Sequence, residues 1–435
     1  MRHLPIDASL FKDNRKKFIK LLPKNAVAIF HSNDQMPRNG DQYFPYRQQS
    51  DFFYLTGIDQ EKSILLLAPD CPNKNFRELL FTIKTNERIA IWEGHKYTKK
   101  EAKEISGIEK IQWLDSFRSV VREVLSEANE VFLNGNENPK FSPDVKERNF
   151  RFGEKLKTDY PLHAYHRSAP LLAKLRLKKS PLEIDLLKTA CQLTEKAFRK
   201  ILDTPLKGKY EFEIEAGIDF TFKTGRAGGH GYPPIIASGK NSCVLHYIDN
   251  NEKLKENDLL LMDFGAEYAN YSADMSRTIP VSGKFTVRQK NCYNAVLRVF
   301  KAAKELYVPG NTIGFVNEEV NKMMENEIVD LGLITKEEVK NQDPEAPAFK
   351  RYFMHGTAHF LGLDVHDVGS KHTAFEPGMV LTCEPGIYIR EENIGIRIEN
   401  DILITENKPV DLMESIPIEV EEIEELMGKR RGVPA

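Results

Sequence analysis

Apolar residues follow two rhythms along this chain. In the first part they come as short unbroken runs, AVAIF (26–30), SILLLAP (63–69), ELLFTI (78–83) and EVFLN (130–134), with polar stretches between them. Such runs, bounded by turn residues, predict strands buried on both faces. Helical patterns over 98–105 and 116–128 fall between them, and strands alternating with helices predict a layered α/β domain. A helix start then stands out. Ser180 suits the N-cap, Pro181 the first helical position, and Glu183 completes a capping box. Leu186, Leu187, Ala190, Cys191, Ala197, Phe198, Ile201 and Leu202 form the stripe that follows. The domain break is expected at 172–176, giving a smaller α/β N-terminal domain over 1–173 and a second domain over 174–435. The second domain mixes helices (181–203, 211–224, 286–306, 312–330) with hairpin-like strands at 242–248, 258–268, 271–281, 379–389 and 394–405. That pattern predicts an α+β fold. The end of the chain, acidic at 419–425 and basic at 429–431, reads as a solvated tail.

Composition removes several function classes. The chain has 435 residues, 41% hydrophobic and 29% charged, with a formal net charge of −2. That balance offers no bulk electrostatic case for nucleic acid or an anionic membrane. No apolar run approaches the roughly 20 residues of a membrane span, and the charged N-terminus lacks the apolar segment of a signal peptide. Five cysteines (Cys71, Cys191, Cys243, Cys292, Cys383) are scattered without a CxxC pair. They predict reduced thiols in a cytoplasmic protein rather than disulfides or a structural zinc knuckle.

The chemistry concentrates in carboxylates and one histidine-rich stretch. In 258–281, a hairpin centred between Tyr268 and Ala269 would set Asp263 opposite Asp274. In 380–404, a hairpin centred between Glu391 and Glu392 would set Glu384 opposite Glu399, with Pro385 and Gly386 distorting that strand. Opposed like charges destabilise a sheet. Buried carboxylates must be protonated, paired or bound to a cation. The bland reading is that these acids cap turns or pair with Arg277, Arg390 and Arg397. The sharper one adds MHGTAHFLGLDVHDVG (354–369), where His355, His359 and His366 fall within twelve positions. Four carboxylates and one imidazole favour Mn²⁺ or Co²⁺-like ions over zinc without excluding zinc. Five such ligands suit two ions about 3.5–4 Å apart. An HExxH zinc site is ruled out, because Gly356 occupies the glutamate position.

Asp263, Asp274, His359, Glu384 and Glu399, in that order, resemble the five metal ligands of the pita-bread metallopeptidases. Within that group the chain resembles aminopeptidase P, the Xaa-Pro aminopeptidases. The segments that carry the likeness are LLLMDFGAEYANYSADMSRTIPVSGKF, HGTAHFLGLDVHDVG, LTCEPGIYI, GIRIENDILIT and YPPIIASGKNSCVLHY, which includes His246. YFPYRQQSDFFYLTGIDQEKSILLLAP (43–69) resembles the N-terminal domain of the same family.

The resemblance implies a pita-bread catalytic domain and hydrolysis of the bond before a penultimate proline. It implies two divalent ions, expected to be manganese, with Asp263 on one, His359 and Glu384 on the other, and Asp274 and Glu399 bridging. Glu384 is implied as general base, His246 and His366 as substrate-facing groups, and His355 as a wall of the proline pocket. Arg397 is expected to orient Glu399. Asp364 and Asp367 read as structural. Trp92 resembles a family tryptophan that reaches a neighbouring subunit, although the residues after it, Glu93 and His95-Lys96, depart from that segment. The implied partners are proline-containing peptides and further copies of the chain, in a dimer or tetramer. The alternatives are a prolidase, which shares all five ligands, and a non-catalytic pita-bread binding module.

Overall fold

Fully apolar runs build the first of two units. The computed structural model describes residues 3–138, 140 and 144–429, and the chain divides into His3–Arg176 and a second unit from Leu177 onward. The strands of the first unit are β1 (Ala26–His31), β2 (Pro37–Asn39), β3 (Gln42–Tyr43), β4 (Ile64–Leu67), β5 (Glu78–Thr82), β6 (Ile111–Trp113), β7 (Glu130–Leu133) and β8 (Ala164–Arg167). Six of them form one sheet in the order β6-β5-β4-β1-β7-β8, and β2 pairs only with β3. The three central strands β1, β4 and β5 run antiparallel, while β6, β7 and β8 add in parallel. Alternate residues of the sheet, among them Val27, Ile29, Ile64, Leu66, Leu79 and Phe81, pack on Val120, Val121, Val124 and Leu125 of the helix Phe117–Glu127. β6 and β8 escape the sequence pattern. One has three residues and the other is an edge strand with mostly exposed side chains.

The second unit carries β9 (Gly229–His230), β10 (Ile235–Ser238), β11 (Leu259–Asp263), β12 (Ala266–Tyr268), β13 (Tyr271–Ser272), β14 (Ser276–Pro280), β15 (Val380–Cys383), β16 (Gly386–Ile389), β17 (Ile394–Arg397), β18 (Asn400–Leu403) and β19 (Val410–Asp411). Helices Pro181–Leu202, Glu211–Thr224, Val287–Lys304 and Ile313–Asp330 accompany them. The capping box at Ser180 and Glu183 closes as the sequence implies.

Two long hairpins position the site, and each is broken midway. In the first, β11 pairs with β14 and β12 with β13; in the second, β15 pairs with β18 and β16 with β17. The breaks fall where the acids sit. Asp263 ends β11, Asp274 lies between β13 and β14, and Glu384 and Glu399 occupy the gaps of the second hairpin. Where the ladder lapses, the backbone no longer holds these side chains to alternate faces, so they can turn to one point. Gly265 makes the first break possible, because a Cβ there would lie 1.7 Å from the Ala273 carbonyl oxygen.

The registers answer the sequence expectation differently. The second hairpin pairs Gly386 with Arg397 and Cys383 with Asn400, which sets Glu384 level with Glu399 as expected. The first does not set Asp263 opposite Asp274: Asp263 faces Ser276. Its turn lies at Ala269-Asn270, both left-handed with φ of 52° and 65°, one residue later than the polar tip suggested. A type I′ two-residue hairpin turn needs positive φ at both central positions, and asparagine tolerates it. Asp263 and Asp274 become diagonal rather than direct neighbours, still within side-chain reach.

Two further expectations fail. Residues 242–248 are not a strand. A 3-10 turn, Gly239–Cys243, leads into an irregular loop. The alternation that suggested a strand is real, since Cys243, Leu245 and Tyr247 all pack on one apolar cluster, but no neighbouring backbone pairs with it. The acidic C-terminal segment is not a free tail. It forms the helix Val420–Gly428, which buries Val420, Ile423 and Met427. Those three residues make a helical stripe between the glutamates.

Candidate metal centre

The two hairpins lie side by side and are stitched by a buried arginine. Arg277 donates to the Glu399 and Pro417 carbonyls at 2.8 and 3.0 Å and to Asn400 Oδ1 at 2.7 Å. Its guanidinium donates to these groups rather than directly to any of the four carboxylates. The segment 357–361 runs along β15, through Thr382 N to the His359 carbonyl at 3.0 Å and Glu384 N to the Thr357 carbonyl at 2.9 Å. His359 is thereby delivered between the hairpins.

Asp274, His359 and Glu399 each offer a ligand atom, all within 4.8 Å of one another. His359 Nε2 lies 3.3 Å from Asp274 Oδ2 and 3.9 Å from Glu384 Oε1. Asp263 joins through Tyr232, whose hydroxyl lies 2.6 Å from Asp263 Oδ1 and 2.5 Å from Asp274 Oδ1. One hydroxyl has one proton to give, so one of these contacts needs a further proton or a cation.

Charge balance says the same. Burial pushes Asp263 up, against the pull of Arg397. Burial raises Glu384 to about 7. Glu399 is pushed up by burial and then by Asp274, Glu384 and Asp263. Burial alone would lower His359, but its hydrogen bond to Asp274 and the charges of Asp274 and Glu384 lift it to about 9. With Asp263, Glu384 and Glu399 all pushed up, the cluster must either take up protons or bind a cation. A divalent cation fits this donor set of oxygens and one imidazole nitrogen.

Arg397 differs from expectation. It donates directly to Asp263 Oδ2 at 2.6 Å, and it reaches Glu399 only through Ser276. The Ser276 hydroxyl accepts from Arg397 Nε and donates to Glu399 Oε2, both at 2.7 Å. Arg397 also donates to the Tyr388 hydroxyl at 2.8 Å, which meets His355 Nε2 at 2.8 Å. With His355 Nδ1 against its neighbour's carbonyl at 2.6 Å, the ring accepts at Nε2 and is neutral. Burial holds its pKa down at about 3.

The other predicted residues scatter around this core. His366 is exposed, and its ring stands edge-on to His359 at 4.5 Å between centroids. His246 is exposed on the loop after Gly239–Cys243, near enough for its charge to act on His355. Asp367 pairs with Lys179 at 3.1 Å, both side chains 1% exposed, as a structural ion pair. Trp92 is 82% exposed on the helix Glu87–Glu93, so packing in its own unit does not account for it.

Tyr232, Ser276 and Tyr388 escaped the sequence reading. Tyr388 and Ser276 carried a signal in the strand alternation, which places Tyr388 on the face of Glu384. Tyr232 carried none, because it arrives from a separate segment.

Two hairpins bring acids and a histidine together in a cluster that could hold a metal ion. Residues 185–406, more than half of the chain, match metallopeptidase family M24, and the chain belongs to that family. Residues 11–132 match the N-terminal domain of aminopeptidase P. The chain is 34% identical over 430 residues to the Xaa-Pro aminopeptidase of Haemophilus influenzae, covering 96% of this chain and 97% of that one. It is 33% identical over 437 residues to the Escherichia coli Xaa-Pro aminopeptidase, covering 97% and 98%. Among solved structures, zinc-substituted Escherichia coli aminopeptidase P in complex with product superposes with a TM-score of 0.87 at 32% identity, covering 99% of this chain and all of that one. The two-domain fold of aminopeptidase P is therefore the fold of this chain.

Proposed function

We propose that the protein is a metal-dependent aminopeptidase that hydrolyses the Xaa-Pro bond at peptide N-termini, releasing the first residue when proline is second. The clustering of Asp274 and Glu399 with His359, with Glu384 3.9 Å from the imidazole and Asp263 joined through Tyr232, carries this reading. The full-length likeness to Xaa-Pro aminopeptidases supports it.

Asp263, Asp274, His359, Glu384 and Glu399 would hold two divalent ions. Manganese suits an oxygen-rich set, with cobalt or zinc as alternatives. Such ions, when bound, lower the pKa of a water and polarise a carbonyl. Glu384 takes the proton of the attacking water as general base. His366 and His246, both exposed, hydrogen-bond the substrate and return a proton to the proline nitrogen. Neutral His355 lines the proline pocket. Arg397 holds Asp263 directly and Glu399 through Ser276. The Xaa-Pro bond has no N–H, so a pocket that packs the pyrrolidine ring and asks nothing of the nitrogen can accept it.

The setting we propose is cytoplasmic, in keeping with five free, buried cysteines, and oligomeric, as a dimer or tetramer. No described helix is long and apolar enough to cross a membrane.

The test is hydrolysis of Xaa-Pro and Xaa-Pro-Yaa peptides by manganese-loaded protein. Cleavage of the tripeptide supports the aminopeptidase. Cleavage of the dipeptide alone would assign the chain to the prolidases instead. Fewer than about one ion per chain after dialysis against excess Mn²⁺, with no hydrolysis, would leave only a binding module.

A further inference from the structure

The loop that carries His246 and the segment that carries His355 enclose a second cavity. It holds about 360 Å³ and is lined by Lys240, Cys243, Val244, Leu245, Met354 and Arg390. Val244 and Leu245 lead into His246, and Met354 leads into His355. Leu245 and Met354 pack on a buried cluster that includes Tyr388, whose hydroxyl meets His355. The cavity therefore lies against the apolar cluster that holds Tyr388, whose hydroxyl meets His355, and none of its lining residues is a carboxylate.

Its walls are apolar and its rim is cationic. Lys240 and Arg390 are exposed, and neither forms an ion pair among the described residues. Glu391, also exposed, is the acid whose charge reaches the cavity at Cys243. Two cations over an apolar wall favour a chain bearing a carboxylate and repel one bearing an ammonium. The first residue of any aminopeptidase substrate carries the α-ammonium, so this rim is turned against that end. The end beyond the proline carries no obligatory positive charge and, in a tripeptide, finishes in a carboxylate.

We propose that this cavity is a specificity subsite for the leaving peptide, taking a carboxylate borne by the residue after proline. The inference rests on the Xaa-Pro reading above, which puts His246 and His355 on the proline side of the scissile bond. The carboxylate can come from an acidic side chain or from the free C-terminus of a tripeptide.

The test compares kcat/KM on Ala-Pro-Glu-Ala amide, its Gln and Lys counterparts, and Ala-Pro-Ala with a free or amidated end, using manganese-loaded protein. Glu is expected to exceed Gln by about threefold to tenfold, and Lys to fall below both, as partly exposed ion pairs allow. Added salt should compress the series. In the double variant Lys240→Glu, Arg390→Glu, the Glu-to-Gln ratio should fall to one or below. A ratio is read within one protein, so misfolding or poor metal loading cannot mimic the change. A preference for the free tripeptide without a Glu preference would assign the terminal carboxylate as the ligand. Equal rates on all peptides, or the same ratios in the double variant, would overturn the subsite alone. No turnover on any of them would overturn the Xaa-Pro reading and the subsite with it.

Discussion

Replacing Arg397 by methionine removes the one guanidinium that touches the acid cluster. Methionine fills much of the same space but carries no charge and no donors. Three hydrogen bonds go, to Asp263 at 2.6 Å, Ser276 at 2.7 Å and Tyr388 at 2.8 Å. The bond to Asp263 matters most, since hydrogen bonds to charged groups contribute about 1.5–3 kcal/mol net. The larger cost is electrostatic: Arg397 is 5% exposed and Asp263 13% exposed, and breaking a buried pair typically costs about 3–5 kcal/mol. The expected loss in chelated protein is therefore about 3–5 kcal/mol. In metal-loaded protein the cation takes over the compensation of Asp263, and the loss should shrink to about 1–2 kcal/mol. Urea unfolding with and without chelator reads both numbers, and urea leaves the electrostatics unscreened. The two units can unfold separately, so the transition to follow is the one that moves with metal. If the chelated variant stays within about 1 kcal/mol of its parent, or metal fails to narrow the gap, Arg397 is not the compensating cation.

Glu384→Gln should abolish nearly all turnover while the protein stays folded by circular dichroism; substantial residual activity would contradict its role as base. His366→Ala should lower kcat by about 10²–10⁴-fold, the usual contribution of a proton-transfer group, and an unchanged kcat would return it to a passive role. His31, buried in the first unit, is held near pKa 3 chiefly by burial, with Arg148 adding to the effect. The unfolded chain binds the proton more readily, so stability is complete above the ordinary value of 6.5 and drains as pH falls towards 3. The loss is about 2 kcal/mol at pH 5. Unfolding of wild-type and His31→Gln protein at pH 7 and pH 5 checks this, and a stability difference that does not change with pH would refute it.

The chain's local periodicities already contained much of this molecule. The capping box at Ser180, the long helices, the central strands and the level placement of Glu384 and Glu399 all follow from residues a few positions apart. The acids stood out as candidates in the same way, because a carboxylate in an apolar strand needs explaining wherever it lies. What local pattern could not decide was the meeting of distant groups. The first hairpin's register turned on whether Ala269 and Asn270 would accept a left-handed backbone, and that shift exchanged an opposed Asp263–Asp274 pair for a diagonal one. Tyr232 reaches across 31 and 42 positions to those acids, and Arg397 reaches Asp263 across 134. Short-range sterics and amphipathic spacing are written along the chain, so the elements can be read from it. Hydrogen bonding, Coulomb energy and burial depend on distance through space, so the charge balance of the centre and the cation it requires exist only once the chain has folded.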